Sequence, residues 1–145
     1  MTDPWETTLR ILERRAHGPT ELGAKLRARG FEDVSALVER ARELHLLETD
    51  EAVAERYARQ LRRKGSTPLA ARAKLLRRGF DSSVSERATE QAFSDWDGKA
   101  EALAMLDSEQ PSERVARRLS RRGFRADDIR WALARVRERR RTDDS

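Results

Sequence analysis

The chain has 145 residues, 37% hydrophobic and 39% charged, and its 31 Lys and Arg against 26 Asp and Glu give a net charge of +5. So small an apolar share suits small helical units better than one thick core. The absence of cysteine excludes disulfides, thiolate catalysis and zinc ribbons, and no apolar run approaches the roughly 20 residues needed to cross a bilayer.

Asp3-Pro4-Trp5-Glu6 predicts a helix start, with a capping carboxylate, a proline at the first helical position and a Glu three residues after the cap. Trp5, Leu9 and Leu12 follow at helical spacing, and His17-Gly18-Pro19 ends the element. Thr20 reads as the cap of a second helix facing inward through Leu22 and Leu26, and Val34, Leu37, Val38, Ala41 and Leu44 define a third. Thr49-Asp50 starts a fourth, with Val53, Tyr57 and Leu61 on one face, and Lys64-Gly65-Ser66 breaks it. Thr67-Pro68 caps the fifth. Ser83 with Glu86 reads as a capping box for the sixth, which carries Val84, Ala88 and Ala92. Asp97-Gly98 and Pro111-Ser112 open the next two, and Ile129, Ala132, Leu133 and Val136 mark the last.

One phrase recurs: Lys25-Leu26-Arg27-Ala28-Arg29-Gly30-Phe31, Lys74-Leu75-Leu76-Arg77-Arg78-Gly79-Phe80 and Arg118-Leu119-Ser120-Arg121-Arg122-Gly123-Phe124. Cations in the last turn, a glycine and then an apolar residue make a helix C-terminus. Its spacing, 49 and then 44 residues between glycines, marks an internal repeat. The expectation is an all-α chain of three tandem three-helix modules at 3–47, 49–96 and 97–141 in an elongated, curved array, with a disordered tail at 142–145. The N-terminal residues Met1 to Trp5 lack the basic and apolar parts of a signal peptide, so a cytoplasmic location is expected; a monomer is expected as well.

A helix dipole calls for one or two cations, and these helices carry more. From Arg56 to Phe80 there are nine basic residues and no acidic one, and from Arg114 to Arg125 six and none. Such local fields favour a polyanion or an acidic protein face. The residues expected to form the binding surface are Arg59, Arg62, Arg63, Lys74, Arg77 and Arg78 in the middle module, and Arg117, Arg118, Arg121 and Arg122 in the third. Replacing Lys74, Arg77 and Arg78 with Ala is expected to leave helicity intact, because Ala71 and Leu75 do the packing. No Asn or Gln set is aimed at base edges, so binding to single- and double-stranded DNA is expected to be salt-sensitive and sequence-indifferent. With two histidines, no cysteine and no glycine-rich phosphate loop, no enzyme, metal or cofactor is expected.

The Leu-x-x-Arg-Gly-Phe phrases at Leu26, Leu75 and Leu119 resemble those of the RecX family of RecA regulators, as do Leu12-Glu13-Arg14-Arg15, Glu21-Leu22 and Asp50-Glu51 followed by Tyr57. Two departures are Ala52-Val53, where the family usually has an aromatic after Asp-Glu, and Ser66-Thr67, where it often has a second glycine. The resemblance covers nearly the whole chain. It implies a protein that lies in the groove of the RecA-DNA filament, bridges neighbouring protomers and inhibits or destabilises the filament, with no chemistry of its own. Two other readings stand beside it: a stand-alone, sequence-nonspecific helical DNA binder, and a helical-repeat scaffold for an acidic protein.

Overall fold

A computed structural model describes residues 3–107 and 110–144. Among the described residues the chain is all-helical: α1 (Pro4–Arg14), α2 (Pro19–Ala28), α3 (Val34–Glu43), α4 (Asp50–Arg63), α5 (Pro68–Arg77), α6 (Ser82–Ala92), α7 (Gly98–Leu106), α8 (Glu113–Arg122) and α9 (Ala126–Asp143). Most starts are set by the expected side chains, with Asp3, Thr49, Thr67, Asp97 and Ser112 each accepting from a backbone N–H in the first turn. Two differ. The α2 cap is Gly18, and the Thr20 hydroxyl and backbone N–H donate instead to Asp50, at 2.5 and 3.2 Å. The α6 cap is Asp81, which accepts from Val84 N–H at 2.8 Å, while Ser83 donates its hydroxyl to that carboxylate. A carboxylate is the stronger acceptor and wins the position. At the far end α9 continues through Thr142 and Asp143, which the sequence placed in a tail; Ser145, the last residue of that tail, lies outside the described residues.

The repeated phrase is a Schellman cap in all three copies. Phe31, Phe80 and Phe124 donate their N–H to Leu26, Leu75 and Leu119 at 3.2, 3.3 and 3.1 Å, and Gly30, Gly79 and Gly123 donate to the carbonyls three residues before them at 2.9 to 3.0 Å. These closures force the glycines to φ of 92°, 101° and 102°. His45, at φ 57°, fills the same place at the end of α3, with Leu46 N–H on Ala41 carbonyl. The helix therefore ends there, leaving Leu44 exposed where the apolar spacing put it inside.

Three apolar clusters form, each drawn from consecutive helices. Ile11, Leu22, Leu26, Val34 and Ala41 come from α1–α3, a second set around Leu61, Leu75, Phe80 and Phe93 from α4–α6, and a third around Leu106, Leu119, Phe124 and Ile129 from α7–α9. The exposed surface, 9555 Å², exceeds the roughly 7,600 Å² of a compact monomer of 16.7 kDa, as expected when apolar burial is split among small clusters.

The helix triplets meet end to face. At the first joint Gly79 at the end of α5 lies against Ala24 on α2, where an added Cβ would come within 3.2 Å of the Ala24 Cβ. At the second, a Cβ on Gly123 would overlap the Thr67 hydroxyl, which donates to Arg122 carbonyl at 2.8 Å. Trp96 spans this joint, packing against both neighbouring clusters with its ring 5.7 Å from Phe124 and 6.1 Å from Phe93. A Cβ at Gly30 would meet nothing within 4 Å.

Candidate polyanion-binding cleft

The ten cations expected at the binding surface fall into two groups. Lys74 and Arg77 on α5, Arg121 on α8 and Arg63 at the end of α4 have no carboxylate or aromatic partner among the described residues. Lys74 and Arg121 converge with Arg122 and Lys64 on one cleft of about 230 Å³ between the second and third triplets, floored by Ala70 and the Gly65-Ser66 turn. Among the described residues no carboxylate lines it. Lys64 was absent from the sequence-derived set because it sits in the Lys64-Gly65-Ser66 break, where it read as punctuation.

The second group is engaged within the chain. Arg62 donates to Ala92 carbonyl at 2.8 Å and to Asp95, holding the Asp95 carboxyl below its usual range, with its guanidinium over Phe93. Arg78 lies 3.5 Å from the Tyr57 ring centroid and 3.6 Å from the Glu21 carboxylate. Arg122 donates to Gly65 carbonyl at 3.1 Å, which ties α8 to the turn after α4. Arg59 pairs with Glu55 at 2.6 Å and Arg117 with Glu113 at 3.9 Å, both helical pairs of small energetic weight, and Arg118 is also engaged. Arg78 therefore holds a joint, and an Ala at position 78 changes the architecture as well as the charge. The clean set for testing charge is Lys74, Arg77 and Arg121.

Apolar side chains flank the cations. On α5, Leu69 is 64% and Leu76 42% exposed, seven residues apart and so on one face, with Arg77 at its edge. Trp131 on α9 is 40% exposed, off the buried Ile129 and Val136 face. By contrast Trp5 stacks under Arg40 at 4.0 Å and joins the first cluster.

The first joint is built around a buried carboxylate. Glu21, 1% exposed, accepts from two Arg15 guanidinium nitrogens at 2.9 and 2.7 Å, and Arg78 lies 3.6 Å from the same Oε2 that takes the shorter bond. His17, fully buried beside it, has Nδ1 2.8 Å from Arg15 carbonyl, which can only accept, so that nitrogen carries the proton. Nε2 then accepts from Lys25 Nζ at 2.8 Å. Burial pushes the His17 pKa below its ordinary 6.5, assisted by the Lys25 and Arg15 charges and opposed by the Arg15 carbonyl and Glu21; burial and Arg15 also hold Lys25 low. The unfolded chain thus binds more protons just below pH 6.5, so this stability is present above that value and drains away as pH falls through the lowered folded pKa. Between about pH 7.5 and 5 the unfolding midpoint of the parent protein should fall further than that of His17→Gln, measured by circular dichroism; equal slopes would remove the histidine from the account.

Among the described residues no group of three or more His, Cys, Asp or Glu is placed to hold a metal ion, and no helix is long and apolar enough to cross a membrane.

No protein-family model matches the chain. Individual relatives do: Regulatory protein RecX of Chromohalobacter salexigens is 34% identical over 139 residues, covering 90% of this chain and 91% of that protein. The chain belongs to the RecX family. RecX of Stenotrophomonas maltophilia is 34% identical over 137 residues, covering 89% of this chain and 84% of the relative, and that of Halorhodospira halophila 32% identical over 138 residues with 89% and 85% covered. The RecX crystal structure from Lactobacillus salivarius superposes with a TM-score of 0.64 at 19% identity, covering 92% of this chain and 94% of that one. A second RecX crystal structure gives 0.62 at 19% identity, with 89% and 69% covered. The family read from the Leu-x-x-Arg-Gly-Phe phrases is thus the family found, and the helical architecture is that of solved RecX structures.

Proposed function

We propose that this RecX-family chain regulates RecA by lying as an elongated helical array along the RecA-DNA filament and inhibiting its activity, with Lys64, Lys74, Arg77 and Arg121 as the central contacts. The observation that carries this reading is the cleft in which cations from two helix triplets meet with no carboxylate among the described residues that line it. Phosphates are met by Lys and Arg at low sequence cost, so affinity from such a surface falls steeply with salt and ignores base identity. The exposed Leu69 and Leu76 beside Arg77 favour a protein partner together with DNA, since a phosphate backbone has no use for an apolar face.

The test is a titration of RecA's DNA-dependent ATP hydrolysis on single-stranded DNA. Substoichiometric amounts of the protein should inhibit, and adding excess DNA should leave that inhibition in place. Inhibition that excess DNA abolishes would mark a stand-alone DNA binder instead. Absence of any DNA affinity at low salt would leave a scaffold for an acidic protein.

A further inference from the structure

The two joints are built from repeat-related positions, and the second lacks the one group that neutralises the first. The 49-residue period carries α2 onto α5 end to end, Pro19 onto Pro68 and Ala28 onto Arg77. It also carries Arg15 onto Lys64, Glu21 onto Ala70 and Lys25 onto Lys74, while the 44-residue period carries Arg78 onto Arg122. At the first joint Arg15 and Arg78 flank the Glu21 carboxylate, with Lys25 nearby through His17. At the second, Lys64, Lys74 and Arg122 line a cleft of about 230 Å³ beside Ala70, and Arg121 adds a further cation. The carboxylate's place is taken by a methyl group.

We infer that this cleft seats one phosphate-class anion, which occupies the role of Glu21 and clamps the second and third triplets together. Among the described residues no carboxylate forms an ion pair across this joint. Lys64 and Lys74 on one side therefore face Arg121 and Arg122 on the other, a like-charge arrangement that an anion converts from repulsion to attraction. The joint's direct polar ties include Thr67 hydroxyl to Arg122 carbonyl and Arg122 guanidinium to Gly65 carbonyl, neither of which offsets the gathered positive charge. The two ends dock differently, α8 finishing over the α5 cap at Thr67 and α5 finishing further along α2 at Ala24. That offset leaves the space. Four cations around it favour a multiply charged tetrahedral anion over a single carboxylate, and the Arg122 guanidinium, with one nitrogen on Gly65 carbonyl, keeps its other N–H groups for phosphate oxygens. The group comes either from free inorganic phosphate or from a nucleic-acid backbone.

The inference uses the same cleft as the filament reading, yet the two fail separately. The experiment follows backbone amide shifts while inorganic phosphate replaces chloride at constant ionic strength. Saturable shifts are expected at Gly65, Ser66, Arg121 and Arg122. Ala70→Glu supplies the missing carboxylate internally and should abolish them, whereas Ala70→Gln, of similar shape and without charge, should keep them. A short single-stranded oligonucleotide shifting the same amides identifies the backbone as a source; response to inorganic phosphate alone identifies the free ion. Shifts spread evenly over all basic surfaces, retention of binding in Ala70→Glu, or a response to a polyglutamate peptide but not to phosphate would each overturn the clamp. None of these outcomes alters RecA inhibition by the parent protein, which tests the filament reading independently.

Discussion

Gly123→Ala lowers the midpoint of thermal unfolding by about 10 °C, whereas Gly30→Ala lowers it by about 3 °C, at about 2–4 °C per kcal/mol for a chain of this size. Both glycines sit at strongly positive φ, 102° and 92°, where a side chain costs about 1–2 kcal/mol. Only one touches another helix triplet. An added Cβ at position 123 overlaps the Thr67 hydroxyl, so the joint must open and the bond from Thr67 to Arg122 carbonyl is lost, at about 1 kcal/mol for the bond and 1–3 for the overlap. Position 30 has nothing within 4 Å, so its loss reports the cap alone. Equal losses in the two variants, measured by circular dichroism melting, would mean that the second joint contributes nothing to stability.

Lys74→Ala/Arg77→Ala/Arg121→Ala weakens binding to single-stranded DNA by about 100-fold at 0.1 M salt and makes the logarithmic salt dependence shallower by about 2, as loss of three phosphate contacts requires. Helicity should not change, because Ala71, Leu75 and Leu119 are fully buried and none of the three cations pairs with a carboxylate or ring among the described residues. Fluorescence anisotropy at several salt concentrations measures both quantities. An unchanged slope would move the DNA-binding surface to another part of the chain. A variant that includes Arg78→Ala is less informative, since that residue also covers Tyr57 and faces Glu21.

What the sequence disclosed, and what it withheld, divides by distance along the chain. The Leu-x-x-Arg-Gly-Phe phrase predicts the Schellman caps because every bond in them lies within five residues, so the residue types alone decide the closure. The caps at Thr49, Thr67 and Ser112 were legible for the same reason. The caps at Gly18 and Asp81 lie two residues before the Thr20 and Ser83 that the sequence offers, since spacing does not say that Thr20 turns to Asp50 or that a carboxylate outcompetes a nearby hydroxyl. The basic stripes were visible as composition, yet which arginines remain open was not. Arg62, Arg78 and Arg122 find partners 30, 57 and 57 residues away, and a long side chain with several donors accepts whatever carbonyl, ring or carboxylate the fold brings near. The exchange of Glu21 for Ala70 was in the repeat register throughout. Its meaning needed the cleft.

The most direct measurement compares RecA ATP hydrolysis on single-stranded DNA in the presence of the parent protein and of Lys74→Ala/Arg77→Ala/Arg121→Ala, each titrated from substoichiometric amounts at one fixed salt concentration. Inhibition by the parent protein is expected to survive excess DNA, and the variant is expected to inhibit little or not at all at equal helicity. Equal inhibition by both proteins would contradict that expectation.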